Sequence, residues 1–264
     1  MLSLYRYLVL SSAKDTLTQR SHIVMRAMMW LVRMGVLVFL YRVAYLHTQA
    51  DGLPINLSSA LWSIAGYFVL SSLYLRILYR DISDDIQQGS IELHLSKPYN
   101  YLLRMMCVRL GRGLPDLGLS LVVLILILSL LVGYPQVAMT VLWALKTTCV
   151  FLLGIPLSLL VYGMVGLSAA WIEDATPLFW IIDKSVMILG GSYVPIALFP
   201  HSVSWVAAHS PFGAMMFITH VFNQDFSERW VALVTTQIAW IAILVFLSWF
   251  MYRRLQRRLL IHGG

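Results

Sequence analysis

Long apolar runs, separated by short polar stretches, constrain this sequence more than any other feature. A helix needs about 20 mostly apolar residues to cross a bilayer, whose hydrocarbon core is about 30 Å thick. Runs of that length are predicted at 23–46, 57–79, 113–132, 141–171, 177–199 and 230–252. Charged residues make up 12% of the chain, well below the share of about 25% in soluble domains. We therefore predict an all-α polytopic membrane protein, with six transmembrane helices in a single domain covering residues 1–264.

The positions of Lys and Arg predict how these spans are oriented. Basic residues concentrate before the first span, between the second and third spans, and after the sixth, whereas the loops after spans one, three and five hold almost none. Cytoplasmic loops carry the excess of Lys and Arg, so both termini should be cytoplasmic. Residues 1–22 are too polar to span and are predicted to form an interfacial helix. The net charge of +7 thus reflects membrane topology, and we expect no nucleic-acid partner.

The longest polar interval, residues 81–101, follows the second span and lies in the segment 80–112, which is predicted to be cytoplasmic. Ile82 and Ile86 lie four residues apart on one face of a predicted helix, and Gly89 would end it. A polar set of three aspartates and one glutamine recurs at i, i+3, i+4 and i+7 on another face, at Asp81, Asp84, Asp85 and Gln88. A short acidic amphipathic helix at a membrane surface suits docking onto a soluble protein; a solvated loop is the alternative.

Two of the charged residues inside predicted spans are expected to be buried in the membrane. Arg33 lies in the first span and Asp183 in the fifth, both roughly 9–10 Å from the cytoplasmic ends. An unpaired charge at that depth costs several kcal/mol, so a partner or a wet cavity is expected. We expect Arg33 and Asp183 to face each other or a shared polar cavity. The alternative is that both side chains reach the headgroups.

Motifs of nucleotide-binding and hydrolytic proteins are absent from the sequence. There is no GxxxxGK[ST], HExxH or GxSxG. The histidines are scattered, and the three in the outer segment 190–229 are expected to form surface hydrogen bonds and not a metal site. The two cysteines also lack metal-ligand spacing, so we predict no metal in this chain. The carboxylates of Asp81, Asp84 and Asp85 leave a second function class open, a membrane-embedded enzyme or assembly scaffold with a cytoplasmic acidic site.

Two motifs resemble those of permeases in the type 2 ABC exporter family. Residues 86–98, IQQGSIELHLSKP, are similar to the pattern I-x-x-G-x-[IL]-x-x-x-L-x-[KR]-P of the branch in which two permeases are often paired. Residues 190–212, GGSYVPIALFPHSVSWVAAHSPF, are similar to the family's G-x-x-x-P-x-x-x-x-P…P-[FL] between spans five and six. With the six predicted spans and the interfacial helix, the resemblance covers nearly the whole chain.

The resemblance implies a non-catalytic permease subunit of an ATP-driven exporter in a bacterial cytoplasmic (inner) membrane. Such a subunit pairs with a second permease, identical or paralogous, and docks on two copies of a cytoplasmic ABC ATPase. ATP and Mg²⁺ would bind to the ATPase, and this chain would bind no cofactor. The cargo, whether drug, peptide, lipid or glycan, is not specified by the sequence.

The resemblance also assigns roles to two groups of residues. The coupling helix that docks on the ATPase would contain Asp81, Ile82, Asp84, Asp85, Ile86, Gln88, Gly89 and Glu92. Re-entrant helices between spans five and six would form an outer gate, with Gly190, Gly191, Tyr193, Pro195, Pro200 and Pro211. Arg33 and Asp183 match no motif of the family, and their role is unassigned.

Overall fold

The computed structural model describes residues 2–18, 20–47, 54–95 and 97–262. Within these ranges every regular element is a helix. The α-helices are α1 (Leu2–Thr18), α2 (Arg20–His47), α3 (Leu57–Ser71), α4 (Leu78–Gln87), α5 (Ile91–Leu95), α6 (Tyr101–Leu131), α7 (Val141–Leu167), α8 (Thr176–Leu189), α9 (His201–His209), α10 (Pro211–Met215) and α11 (Phe226–His262). Short 3-10 turns lie at Leu75–Ile77, Ser168–Ala170, Ile196–Leu198 and Phe217–His220.

Four of the described helices are long and apolar enough to cross a membrane. They are Val24–His47, Tyr101–Leu131, Val141–Ala170 and Phe226–Arg258. A fifth crossing results if Leu57–Ser71 and Leu75–Gln87, bent by 40° at a short break, are counted as one span. The predicted all-α membrane architecture is therefore confirmed, with four or five candidate spans in the described part of the chain.

Two predicted boundaries differ from the structure. Residues 101–112, which were expected to belong to the cytoplasmic segment 80–112, are part of α6, which continues through Pro115 without interruption. The continuous fifth span predicted over 177–199 does not form, because α8 ends at Leu189. With 14 residues, α8 is about 21 Å long at 1.5 Å per residue, shorter than a bilayer core. The sixth span is thus still a prediction.

Local signals explain where the main helices begin and where the second apolar run breaks. The side chains of Asn56, Asn100 and Thr140 accept hydrogen bonds from the backbone N–H three residues ahead, as N-caps of α3, α6 and α7. Tyr74 follows α3 with a φ of 51°, in the left-handed region that few non-glycine residues adopt. That conformation redirects the chain before α4, so the second apolar run is two helices and not one.

Among the four single-helix candidate spans, α7 is the one most enclosed by other helices. In its most apolar stretch 67% of the residues are buried, against 22–28% in the three other single-helix spans. It packs against α4, α10 and α11, and glycines allow the close approach of α4 and α10. A Cβ on Gly154 would lie 2.7 Å from the carbonyl oxygen of Met215, and one on Gly166 would lie 2.7 Å from Cβ of Ile82. Packing of small residues at helix interfaces is typical of membrane proteins, and here it brings α4 and α10 directly onto α7.

Candidate functional site

A cavity of about 610 Å³ lies between α2, α3, α7 and α8, beside the break that separates α3 from α4. Three charged residues line it: Arg33 on α2, Arg76 in the turn before α4, and Asp183 on α8. Flexible apolar side chains form much of the remaining wall, among them Met25, Met28, Met29, Met187 and Met216. The volume lies within the range of about 300–1,000 Å³ that is common for small-molecule sites.

Asp183 is buried at the inner wall of this cavity, with 2% of its surface exposed. The hydroxyl of Tyr162 donates a hydrogen bond of 3.1 Å to its Oδ1. The nearest cation is Arg76, whose Nη1 lies 3.6 Å from Oδ2. Arg33 and Asp183 both line this cavity but form no direct ion pair: the cation nearest Asp183 is Arg76, in the turn that follows the break at residues 72–74.

Arg33 occupies the same cavity without a carboxylate partner. Its guanidinium carbon lies 4.4 Å from the ring centroid of Phe68 and 5.8 Å from that of Tyr193. One of its N–H groups donates to the Tyr193 hydroxyl at 3.4 Å. Among the described residues, no Asp or Glu oxygen lies within 4.0 Å of it. Aromatic faces stabilise a guanidinium by about 0.5–2 kcal/mol, but they do not neutralise its charge.

The predicted outer-gate residues lie where α8 gives way to a series of short helices. Gly190 is packed so closely that a Cβ would lie 2.4 Å from the carbonyl oxygen of Val186, and Gly191 has a φ of 74°. Tyr193 brings this turn to α2, because its carbonyl accepts a hydrogen bond from the Tyr41 hydroxyl. The three prolines each precede or begin a short helix: Pro195, Pro200 and Pro211. Short helices lie within 190–229, and Met216 of this segment lines the cavity, whereas the outer gate itself stays a prediction.

The predicted docking residues divide into an internal group and an exposed group. Ile82 is fully buried against Gly166 of α7, and so belongs to the core and not to an exposed face. Asp81 forms an ion pair with Arg109 of α6. Asp85 accepts hydrogen bonds from the hydroxyls of Tyr101, at 2.7 Å, and of Ser90, at 2.9 Å. The face that periodicity assigned to a partner is therefore partly occupied by α6 and α7.

The remaining acidic and amide groups face outward. The exposed positions from the middle of α4 through α5 are Asp84, Gln87, Gln88, Gly89, Glu92 and Leu93; we refer to this set as the α4–α5 surface, and Arg80 is exposed one turn earlier on α4. Gly89 ends α4 as predicted, with a φ of 73°. Ile86 is half-buried between the two groups. Beside this surface, burial and then Arg104 lower the pKa of His94, so its imidazole is neutral near pH 7.

Several charged residues of the structure were not identified from the sequence. Arg76 lies within the apolar run 57–79, and only its type and position among apolar residues could have marked it. Asp116 of α6 is 2% exposed and pairs with Arg26 of α2, so it is a second carboxylate inside an apolar helix. Both arginine–carboxylate pairs join residues far apart in the chain, which one sequence does not reveal. In the described ranges no three His, Cys, Asp or Glu side chains are grouped closely enough to hold a metal ion.

Comparison with protein-family models and with curated proteins found no match to this chain. What the site can do therefore follows from its own geometry. A half-open cavity with two guanidiniums, one buried carboxylate, aromatic rings and methionines can bind a molecule that has both polar and apolar parts. The acidic cluster is less suited to catalysis, because Asp81 and Asp85 are held by partners within the chain.

Proposed function

We propose that this chain is the transmembrane permease subunit of an ATP-driven exporter, and that the α4–α5 surface docks on a separate cytoplasmic ATPase. One observation carries the proposal: the element that bears the exposed acidic residues is continuous with the cavity wall. Arg76 lines the cavity and lies two residues before α4, which bears Asp84 at its exposed face. A force applied to the α4–α5 surface therefore acts directly on a charged residue of the cavity.

The buried face of α4 makes it suitable for transmitting force. Ile82 is enclosed by α7, Asp81 is paired with Arg109 of α6, and the Gln87 amide donates to the Glu173 carbonyl at 2.8 Å. A helix held at three points moves with its neighbours as a rigid body, which is how small displacements are passed between packed helices. A freely solvated loop, the alternative for this segment, would lack such contacts.

The positions of the two ends of α7 support a membrane between the α4–α5 surface and the outer segment. Gly166 near the end of α7 contacts Ile82, whereas Lys146 near its start donates to the Ser227 carbonyl at 3.1 Å. About 20 residues separate these points, so they lie ~30 Å apart, the thickness of a bilayer core. The proposal places the α4–α5 surface and both termini in the cytoplasm, and residues 190–229 at an outer gate.

The full assembly that we propose contains more than this chain. Two permease subunits, identical or paralogous, would each contact one ATPase in a bacterial inner membrane, and ATP with Mg²⁺ would bind only to the ATPases. Six spans require that α8 and the short helices after it together complete a crossing. ATP binding would then favour one packing of the spans and release of the products another.

The docking role is tested by reversing charge on the α4–α5 surface. The tagged chain is purified from its native membranes in mild detergent, and ATP hydrolysis in the preparation is measured. We expect hydrolysis with the wild type and its loss in the double variant Asp84→Lys, Glu92→Lys, because like charges would face a basic partner surface. The control is Asp225→Lys, an exposed carboxylate at the other end of α7.

Two results would contradict the docking role. One is the absence of ATP hydrolysis from wild-type preparations in which the chain is intact. The other is equal hydrolysis in the double variant and the wild type. Loss of hydrolysis in Asp225→Lys as well would show that the effect is not specific to the α4–α5 surface.

A further inference from the structure

The charges of the cavity do not balance. Arg33 and Arg76 contribute two positive charges and Asp183 one negative charge, so the cavity has a net charge of +1. The Tyr162 hydroxyl donates to one oxygen of Asp183 and Arg76 lies 3.6 Å from the other, and no second described carboxylate lies on the cavity wall. Because an uncompensated charge at membrane depth is costly, the site favours a ligand that brings one negative charge.

Arg33 lies deep enough for this argument to apply. It is the tenth residue of the candidate span Val24–His47, so it lies about 14 Å along the helix axis from that end. The rings of Phe68 and Tyr193 lie against its guanidinium, and Arg33 itself lines the cavity. Its N–H groups that are not bonded to the Tyr193 hydroxyl can donate to a carboxylate or phosphate.

The wall around this cationic centre is apolar and adaptable. Met25, Met28, Met29 and Val32 line the cavity on α2 while remaining 57–68% exposed, so the cavity is open along this side of the helix. Methionine side chains adapt to bodies of different shape. The two guanidiniums and the methionine-rich wall of the cavity are therefore adjacent, so a molecule with a polar headgroup and an apolar body can contact both.

We propose that this cavity binds amphiphiles with an anionic headgroup, held between Arg33 and Arg76, with the apolar body lying along the methionine-rich side of α2. Cationic amphiphiles are disfavoured because they would face two guanidiniums. Binding at this site does not require an ATPase. Only the further statement that the bound ligand is the exported molecule rests on the proposed function. The same headgroup chemistry occurs in anionic bilayer lipids and in amphiphilic cargo.

The test uses the full chain in nanodiscs of zwitterionic phosphatidylcholine, with dansyl-labelled undecanoate as the fluorescent probe. We expect saturable binding of the anion, and at least tenfold weaker binding of its uncharged methyl ester. Arg33→Gln should weaken binding of the anion at least tenfold, because it removes a charge-assisted hydrogen bond to the headgroup. Arg33→Lys, which keeps the charge, should recover part of the affinity.

The matched control is Arg42→Gln on the same helix. Arg42 bonds to the carbonyl of Leu131 outside the cavity, so its loss should leave probe binding unchanged. A second variant, Arg76→Lys, retains a cation near Asp183 and should weaken binding of the anion by less than Arg33→Gln does. Arg76→Gln would leave Asp183 without a cation, and it is therefore not used.

Nanodiscs containing phosphatidylglycerol distinguish the two sources of the ligand. Displacement of the probe by this lipid means that the site takes bilayer lipid, and retention of the probe means that it prefers free amphiphiles. Equal binding of the anion and the ester, or wild-type affinity in Arg33→Gln, would overturn the proposal. Because these measurements use the chain alone, their failure is distinct from failure of the ATPase docking test.

Discussion

A single methyl group at Gly113 should disturb the contact between α6 and the break in the second apolar run. A Cβ built there lies 2.3 Å from the carbonyl oxygen of Leu73 and 2.8 Å from its Cα. All three nearest atoms are backbone, so no rotation of a side chain relieves the overlap. An ordinary contact needs at least 3.4 Å, so α6 and residue 73 must separate by about 1 Å.

The expected cost follows from two opposing terms. Overpacking of this kind destabilises by about 1–3 kcal/mol, and the rigid backbone contact places Gly113→Ala at the upper end. Replacing glycine by alanine in a helix stabilises by about 1 kcal/mol. The net loss is therefore about 2 kcal/mol, which lowers Tm by about 4–8 °C in a chain of this size. The separation would also stretch the hydrogen bond of 2.8 Å between the hydroxyls of Ser120 and Ser72.

The assay is thermal unfolding in one detergent at one scan rate. The scan rate is fixed because the Tm of a protein that unfolds irreversibly depends on the unfolding rate as well as on the equilibrium. The control is Gly118→Ala, five residues further along α6, where an added Cβ meets no atom within 4 Å. That variant should be unchanged or slightly more stable. Equal Tm values for the two alanine variants would refute the backbone contact between α6 and Leu73.

Two further predictions concern charge and pH. Arg109→Ala should lower Tm by several degrees more than Arg112→Ala on the same helix, because only Arg109 is buried and paired with Asp81; equal shifts would mean that the pair contributes nothing. Burial, and then Arg229, lower the pKa of His220 in the outer segment from 6.5 to about 4. The neutral imidazole therefore stabilises the fold above about pH 6.5, and about 3 kcal/mol is lost as pH falls to about 4. In Tm measurements from pH 8 to pH 4, His220→Leu should remove this part of the decline, and identical pH profiles would contradict it.

The coarse fold was predictable because it depends on local properties. Length and hydropathy of each apolar run decide whether a helix can cross a bilayer, and both are read within about 20 residues. The end of α8 was not predicted, although Gly190 and Gly191 lie inside the run. A glycine pair is compatible with either a weakened helix or a helix end. Here the helix ends, and Gly190 packs closely against Met216, a residue distant in the sequence.

The candidate site was predicted only in part, and the reason is one residue. Arg33 and Asp183, which were selected by their depth along straight helices, both line the cavity. It did not identify Arg76 as the cation nearest Asp183, because Tyr74 adopts a left-handed conformation that its residue type does not predict. The assignment of Ile82 failed similarly: periodicity shows which residues share a face of α4, but not that α7 covers that face.

The two proposals are connected by the ion pair between Arg76 and Asp183. The separation of 3.6 Å between Nη1 and Oδ2 is at the long end for an ion pair, and Arg76 retains 49% of its side-chain exposure. A shift of α4 by about 2 Å, a displacement typical of packed helices in switching proteins, would break or tighten this pair. Since the Coulomb energy of two unit charges varies inversely with distance, a tighter pair leaves Arg76 less available to an anionic headgroup, and a broken pair leaves it more available. The state of a partner on the α4–α5 surface would thereby set the affinity of the cavity for its ligand, and by linkage the ligand would alter the affinity for that partner by the same factor.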